Sequence, residues 1–208
     1  MADDDPSSRE RIIEATYEAL IDTGYADLTM SDIAAKSGTS TALLHYHFDT
    51  KEDLLVAFLD DLIDGLEERF AAEADTDPTT RLFDVLSLYV LDPSETERAS
   101  FHVALVELRG QAPYNDRYRD RLRRADALVM DELVDVLQAG MDAGVVREVD
   151  PEAIATHLLV AVDGARTRAI ALGEPAYTSR VREILFDNLL ADILTPAGRE
   201  RWMELIDR

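Results

Sequence analysis

Apolar residues recur at helical spacing along almost the whole chain of 208 residues. The first stripe comprises Ile12, Ile13, Tyr17, Leu20 and Ile21, and the longest comprises Leu54, Leu55, Phe58, Leu62, Leu66 and Phe70. Residues three or four apart lie on one face of a helix, so each stripe predicts an amphipathic helix. Pro and Gly are sparse, and no long strand-like alternation of Val, Ile and Tyr occurs. The pattern therefore predicts an all-α fold.

Capping residues and helix breakers set the predicted boundaries. Ser7 and Glu10 form a capping box at the start of the first helix, and Gly24 ends it. Later helices are predicted over residues 50–72, 81–91, 96–111, 115–143, 151–172, 177–194 and 197–206. We expect a disordered arm over residues 1–6, a small three-helix domain over 7–52 and a larger helical bundle over 53–208.

The segment from Leu28 to Lys51 reads LTMSDIAAKSGTSTALLHYHFDTK, which predicts two helices joined by a tight turn. Thr29 precedes Asp32 by three residues, in the manner of a capping box. Gly38 interrupts the apolar pattern where a left-handed turn residue is needed, and Ser40 can cap the second helix. Such a helix-turn-helix can place its second helix in a DNA major groove, although many small helical hairpins share the pattern.

Charge changes the picture, because the formal net charge is −22, with 43 acids against 21 bases. This sign is unusual for a protein that binds DNA. Only Lys36 and Lys51 are lysines, and the other 19 bases are arginines. The composition resembles that of proteins from high-salt cytoplasms, where the Debye length falls to about 3 Å at 1 M salt. An acidic protein that avoids nucleic acid is the alternative.

Several classes of protein are not expected. The chain has no cysteine, no long apolar run and no apolar core in its N-terminal MADDDPSS, so we expect no disulfide, membrane span or signal peptide. We therefore expect a cytoplasmic protein without a membrane partner. No catalytic motif occurs, so we expect no enzyme and no cofactor. His45 and His47 are two residues apart and point about 200° apart on a helix, so no metal site is expected there. His102 and His157 are interpreted as core or surface histidines.

Residues 9–62 closely resemble the N-terminal domain of the tetracycline-repressor (TetR) family. The similarity lies in RERIIEATYEALIDTGYADLTMSDIA before the turn and HYHFDTKEDLLVAFLDDL after it. The segments VELRGQAPYNDRYRD, AGVVREVDPEAIA and VDGARTRAI resemble the larger domain of the same family more loosely. The resemblance implies an N-terminal helix-turn-helix DNA-binding domain followed by a ligand-binding and dimerisation domain.

The same resemblance implies which residues meet DNA. Tyr46 and His47 match the polar reading face of the family, whereas Leu43 and His45 replace a Thr and a Tyr that supply hydroxyl contacts. Hydroxyl groups suit phosphate contacts, and methyl groups of Thr41 and Ala42 suit thymine methyls. Lys51 matches a phosphate contact of the family, and a solvated surface lysine is the alternative. The complete predicted set is Thr29, Ser31, Ser40, Thr41, Ala42, His45, Tyr46, His47 and Lys51.

The larger domain carries two further predicted surfaces. Candidates for a ligand pocket, each of which also suits plain core, are Phe58, Leu62, Leu86, Tyr89, Phe101, Leu105, Met130, Val134, Leu158 and Val162. Candidates for a dimer interface are Ala155, Leu159 and Ala165 on one helix and Val181, Ile184, Leu185, Leu189 and Ile193 on the next. Asp163 and Arg166 are interpreted as a structural or interface pair rather than an effector clamp.

The sequence thus predicts a homodimeric transcriptional regulator, most simply a repressor that a small-molecule effector releases from double-stranded operator DNA. A ligand in the larger domain would tilt the long fourth helix and change the distance between the two recognition helices. The alternative is a helical protein-interaction module whose helix-turn-helix is only a scaffold. The operator, the effector and the regulated genes do not follow from the sequence.

Overall fold

A computed structural model describes the backbone of residues 8–89 and 96–206 and the side chains of residues 8–87 and 100–205. The predicted disordered arm over residues 1–6 and the predicted cap at Ser7 lie outside the described residues. No described segment forms a β-strand, and the predicted all-α class is confirmed. None of the described helices combines the length and the apolar character needed to cross a bilayer.

The helices are α1 (Ser8–Asp27), α2 (Met30–Ser37), α3 (Thr41–His47), α4 (Lys51–Glu73), α5 (Pro78–Tyr89), α6 (Thr96–Gln111), α7 (Asp116–Asp142), α8 (Pro151–Ala171), α9 (Ala176–Ile184), α10 (Ala191–Ile193) and α11 (Pro196–Ile206), with a π-helical turn over Leu185–Leu190. They divide between two compact units. Among the described residues, the first unit comprises 8–66 and 100–124, and the second comprises 67–89, 96–99 and 125–206. The predicted domains over 7–52 and 53–208 stay predictions, because compactness does not test independent folding.

The first unit packs α1, α2, α3 and the start of α4 around one apolar core. Ile12, Ile33 and Leu44, from three different helices, have no exposed surface. Leu108 of α6 and Tyr118 of α7 are buried in the same cluster. The helical hairpin therefore shares its core with two helices that lie far away in the sequence.

The second unit holds its helices together with aromatic contacts and a buried ion pair. Trp202 packs against Phe83 and Phe186, with ring centroids 5.2 and 5.5 Å apart. Arg81 donates to the Glu132 carboxylate at 2.7 Å, and both side chains are largely buried. Burial raises the pKa of Glu132 above its ordinary value, although the hydrogen bond from Arg81 opposes this shift.

Two helix boundaries differ from the sequence prediction. α5 begins at Pro78, three residues before the predicted start at Arg81. Its first turn is closed by the Asp77 carboxylate, which accepts a hydrogen bond from the Thr79 amide at 3.0 Å and another from the Thr80 hydroxyl. An acidic cap followed by Pro at the first helical position favours this earlier start.

The predicted helix over residues 177–194 is interrupted by the π-helical turn between α9 and α10. Leu185 and Leu190 at its two ends are both buried. A π turn closes hydrogen bonds five residues apart, so it brings residues at this spacing onto the same side, which a regular α-helix does not. The Asn188 side chain also donates to the Ile184 carbonyl at 3.1 Å, which satisfies one acceptor of the preceding helix.

Candidate nucleic-acid interface

Local side-chain chemistry fixes the start of α2, as the sequence predicts. The Thr29 amide donates to the Asp32 carboxylate at 2.9 Å, and the Asp32 amide donates to the Thr29 hydroxyl at 3.2 Å. The Thr29 hydroxyl also donates to Asp32 at 2.6 Å. These bonds from the Thr29 hydroxyl and amide hold the pKa of Asp32 below its ordinary value. The capping box is confirmed with Asp in place of the usual Glu or Gln.

The turn between α2 and α3 has the predicted chemistry as well. Gly38 has φ 64° and ψ 19°, the left-handed conformation that glycine adopts without a steric penalty, and its amide donates to the Ala34 carbonyl. Ser40 then caps α3, because its hydroxyl accepts from the Leu43 amide at 3.1 Å. The direction of α3 is therefore set by two short-range motifs.

One residue anchors α3 and a different set faces outward. Leu44 has no exposed surface, and Phe48 at the end of the helix is only 7% exposed. Successive residues of an α-helix turn by about 100°, so positions 42 and 46 point away from Leu44 and positions 43 and 45 flank them. Tyr46 is 82% exposed and Leu43 is 37% exposed. The outward face of α3 therefore consists of Ala42, Leu43, His45 and Tyr46, all of which are exposed.

The predicted DNA-contacting residues differ in how exposed their side chains are. They also differ in whether their polar atoms already make hydrogen bonds within the protein. Those with exposed side chains are Thr29, Ser31, Ser40, Thr41, Ala42, His45 and Tyr46, and those that are partly buried are His47 and Lys51. The Thr29 hydroxyl both donates and accepts within the capping box, so its hydrogen is already used. The Ser40 hydroxyl only accepts within its cap and keeps its hydrogen for another acceptor.

Both lysines have structural partners that the sequence did not predict. The Lys51 ammonium donates to the Tyr25 carbonyl at 2.9 Å and lies 4.7 Å from the centre of the Tyr25 ring. Lys36 lies 2.7 Å from Asp22 and 3.8 Å from Glu18. A lysine has three N–H donors, so the contact with Tyr25 leaves Lys51 two donors for a phosphate.

A bend near the end of α1 connects the partner of Lys51, Tyr25, with α6. Gly24 has φ 74° and ψ 162° and interrupts the helical backbone there, where the sequence predicts a helix end. The next amide, that of Tyr25, donates to the Glu107 carboxylate at 2.7 Å. The Tyr25 ring meets the edge of the buried Tyr118 ring at 6.4 Å. Burial, with a smaller contribution from Tyr25, raises the pKa of Tyr118 far above its ordinary value.

The start of α4 is tied to α7 by charged pairs. Thr50 caps α4, because its hydroxyl accepts from the Asp53 amide at 3.1 Å. The Thr50 amide and hydroxyl in turn donate to the Asp53 carboxylate at 3.1 and 2.6 Å. Arg117 donates to the other oxygen of Asp53 at 2.7 Å. The Thr50 hydroxyl first and Arg117 second hold the pKa of Asp53 below its ordinary value. Arg121 and Asp60 form a second pair, 3.1 Å apart, along the same two helices.

An open groove of about 510 Å³ lies within the first unit, between α1, α4 and α6. It is lined by Glu10, Ile13, Glu14, Tyr17, Phe58, Asp61, Leu62 and Phe101. The Tyr17 ring stacks on Phe58 with centroids 6.1 Å apart and meets Phe101 edge-on at 5.8 Å. Three carboxylates and three aromatic rings therefore line one groove, which suits a cation that carries apolar groups.

The structure places only part of the predicted pocket at this groove. Phe58, Leu62 and Phe101 line it, and Leu105 packs against the same core. Another five candidates lie in the second unit, namely Leu86, Met130, Val134, Leu158 and Val162. The side chain of Tyr89 lies outside the described residues. The assignment of these residues to a ligand pocket stays a prediction.

The predicted dimer residues are unevenly exposed. Within the single chain, Ala155, Ala165, Leu185 and Ile193 are buried, Leu159, Val181 and Leu189 are partly buried, and Ile184 is 49% exposed. Arg166 is buried in α8, and its guanidinium lies 3.2 Å from Asp163. Val160, which the sequence prediction does not include in the interface, is 67% exposed on α8. Periodicity does not single out this residue, because α8 carries apolar residues on most of its circumference.

Known proteins resemble this chain over both of its parts. Residues 12–58 match the family described as bacterial regulatory proteins, tetR family, and residues 78–195 match the family described as BetI-type transcriptional repressor, C-terminal. A curated relative, the HTH-type transcriptional regulator BetI of Stenotrophomonas maltophilia, is 35% identical over 81 residues. That alignment spans 38% of this chain and 41% of the relative.

Solved structures are similar over most of the chain. The crystal structure of a TetR transcription regulator from Haloarcula marismortui is 40% identical, with a TM-score of 0.79 over 90% of this chain and 98% of that chain. A putative transcriptional regulator from Saccharomonospora viridis, crystallised in complex with choline, is 24% identical. The match covers 90% of this chain and 98% of that chain with a TM-score of 0.74, and at this identity it shows a common fold.

Proposed function

The chain belongs to the TetR family of DNA-binding transcriptional regulators, and on this premise we propose that it is a homodimeric repressor whose α3 helices bind double-stranded operator DNA until a small-molecule effector releases them. The outward face of α3 carries this proposal. Tyr46 and His45 stand exposed on a helix that Leu44 anchors and Ser40 caps. A rigid helix with exposed polar tips suits the major groove.

Selection of DNA from a random duplex library tests the proposal. The purified protein should enrich a two-fold symmetric sequence, because a symmetric dimer presents two copies of α3. The centres of the two half-sites should lie about one helical turn, roughly 34–36 Å, or a multiple of it apart. A helical interaction module with a scaffold hairpin would enrich no sequence, and gel shift of the enriched duplex against a scrambled duplex separates the two functions.

We place the dimer interface on α8 and α9. Val160, Gly164, Thr167 and Ala171 are exposed at intervals of three or four residues, so they form one stripe of mostly small side chains along α8. Ile184 is the exposed apolar residue of α9 that belongs to the predicted interface. Small residues let two helices approach closely, and a two-fold axis would bring two such pairs into a four-helix interface.

For the effector we propose a small organic cation. The groove of the first unit offers aromatic rings that attract a cation through their π faces and carboxylates of opposite charge. The choline complex of the Saccharomonospora viridis regulator supports this class, because choline is a quaternary ammonium compound. An occupant of this groove would touch α1, α4 and α6 together, and α1 and α4 flank the helical hairpin in the sequence.

Calorimetric titration with choline tests the effector class. Choline should bind more tightly than 3,3-dimethylbutan-1-ol, which has the same shape without the charge. Asp61→Asn should weaken choline binding because Asp61 lines the groove, whereas Asp64→Asn, an exposed neighbour on the same helix outside the groove, should not. If choline and the neutral compound bind equally, or if the two variants affect choline binding equally, the groove is not the site of a cationic effector.

We also propose that the protein works at high salt. Its 43 acids and 21 bases leave a large negative excess, which screening by salt makes tolerable both for the fold and beside DNA phosphates. Lys36 is already paired with Asp22, so its charge is largely committed within the protein. Titration of operator DNA at several KCl concentrations, with circular dichroism at each concentration, tests this proposal.

A further inference from the structure

The outward face of α3 lacks the side chains that most often read bases. The helix sequence is TALLHYH, so it contains no Arg, Lys, Asn or Gln. Bidentate recognition of guanine requires Arg or Lys, and bidentate recognition of adenine requires Asn or Gln. α3 therefore has no side chain that makes either of these paired contacts, and its selectivity must come from a different chemistry.

The same face instead carries an unusual share of apolar surface. Leu43 is 37% exposed and Tyr46 is 82% exposed, Ala42 is exposed as well, and the spacings of three and four residues put Leu43 and Ala42 on either side of Tyr46. Leu43 does not belong to the buried core of the hairpin, which contains its neighbours Leu44 and Phe48. An apolar patch at the tip of a helix that enters a polar groove needs an apolar partner there.

Only one base offers such a partner in the major groove. Guanine, adenine and cytosine present donors and acceptors, whereas thymine also presents its C5 methyl group. A methyl group buried between Leu43 and Ala42 would lose its contact with water, which stabilises the complex through the hydrophobic effect. The patch is thus chemically complementary to thymine and to no other unmodified base.

We infer that this apolar patch selects thymine methyl groups in the operator, with Leu43 as the residue that contacts the methyl group and Ala42 as its neighbour. The inference rests on the proposed function, since it requires α3 to lie in the major groove. The half-site should therefore contain at least one T·A pair whose methyl group lies under Leu43. Polar contacts from Tyr46 and His45 to other edges would add to this selection.

Replacement of thymine by deoxyuridine tests the inference directly. Deoxyuridine keeps the base pairing and the O4 acceptor and removes only the methyl group. Each thymine of the selected operator is replaced in turn, and affinity is measured by fluorescence anisotropy at fixed salt. At the contacted positions we expect a loss of about fourfold per methyl group, the value that corresponds to burial of one such group.

The Leu43→Ala variant assigns the effect to this residue. It should bind the normal operator more weakly than wild type, and it should no longer distinguish thymine from deoxyuridine at the position under Leu43, because the two losses share one contact. Leu43→Met, which keeps a similar volume, should retain most of the discrimination. Circular dichroism and light scattering establish that each variant is folded and has the oligomeric state of wild type.

The outcomes separate the inference from the function on which it rests. If no duplex is enriched in the selection, the proposed function fails and the inference fails with it. If the operator is bound but every deoxyuridine substitution leaves affinity unchanged, the function stands and the inference is overturned. If methyl groups matter equally in wild type and in Leu43→Ala, a residue other than Leu43 reads them and the assignment is wrong.

Discussion

The outward face of α3 and the exposed stripe of α8 both carry large apolar side chains, and they differ in what surrounds those side chains. On α3, the exposed Leu43 and Tyr46 share the outward face of the helix with the exposed polar side chain of His45. On α8, Val160 continues into a stripe of small side chains that carries no charge. A mixed apolar and polar patch suits the floor of a DNA groove, whereas an apolar stripe suits another protein surface.

The comparison shows that exposure of an apolar residue does not by itself identify its partner. The polar atoms around the residue identify the partner, since they must also form hydrogen bonds in the complex. Ser40 keeps a hydroxyl hydrogen and Tyr46 a phenol near the α3 patch, and both can be satisfied by phosphate or base edges. The α8 stripe has few polar side-chain atoms that need hydrogen-bond partners. The two surfaces should therefore respond to substitution independently.

The largest effect is expected for Tyr46→Ala. The variant should lose specific operator binding and keep its fold and its dimer, because Tyr46 is exposed and supports no core. A lost base contact costs about 1–3 kcal/mol, and a symmetric dimer loses it in both half-sites. Gel shift measures binding, and Tyr114→Ala, a tyrosine that is 89% exposed between α6 and α7, is the matched control. Binding of Tyr46→Ala at wild-type strength would show that this face does not dock on DNA.

Val160→Arg should break the dimer and leave the isolated chain folded. The substitution places a charge in the apolar stripe, where burial without a partner is strongly unfavourable. Light scattering should report a single chain, and operator binding should weaken because the two recognition helices are no longer linked. Met203→Arg, on an apolar residue of α11 that is 56% exposed, should remain dimeric. A persistent Val160→Arg dimer would place the interface on another surface.

Lys51→Met separates a phosphate contact from a purely structural lysine. Methionine keeps an apolar side chain of similar length and removes the ammonium group that contacts the Tyr25 ring and carbonyl. If Lys51 pairs with a phosphate, affinity should fall by a similar factor for specific and nonspecific duplexes. The slope of log affinity against log salt should change by about one for each half-site, or about two for the dimer. Lys36→Met is the control. If Lys51→Met lowers thermal stability and leaves affinity for DNA unchanged, Lys51 does not contact a phosphate and its role is the structural contact with Tyr25.

The smallest effect is expected for salt itself. Residues 1–51 contain ten acids and four bases, so few phosphates can be paired and little counterion release is available. Log affinity plotted against log KCl should be flat or rising up to molar salt, and circular dichroism should show partial unfolding at low ionic strength, where self-repulsion is unscreened. A steep fall in affinity, with the fold intact at low salt, would show that the high-salt interpretation of the composition is wrong.

Features that depend on neighbouring residues followed from the sequence. The capping box of Thr29 and Asp32, the left-handed Gly38 and the cap at Ser40 are all found as predicted. Each involves residues at most four or five positions apart, so the local pattern contains all the information that it needs. The helical class and the family were predicted for the same reason, because they rest on periodicity and contiguous motifs.

Contacts between distant segments did not follow from the sequence. Glu107 accepts from the Tyr25 amide across 82 positions, and Arg117 pairs with Asp53 across 64. Among so many acids and arginines, no pattern selects one pair before the fold is known. The same limit applies to the predicted interface, where periodicity identifies an apolar residue such as Ala155 but not whether its own chain already covers it.

Photo-cross-linking from the two surfaces tests the central claim most directly. A photoreactive benzoylphenylalanine replaces either Tyr46 on α3 or Ile184 on α9, and the protein is irradiated with labelled operator DNA. We expect position 46 to give a protein–DNA adduct and position 184 to give a covalent protein dimer, with or without DNA. A protein dimer from position 46, or a DNA adduct from position 184 alone, would contradict the assignment of these surfaces.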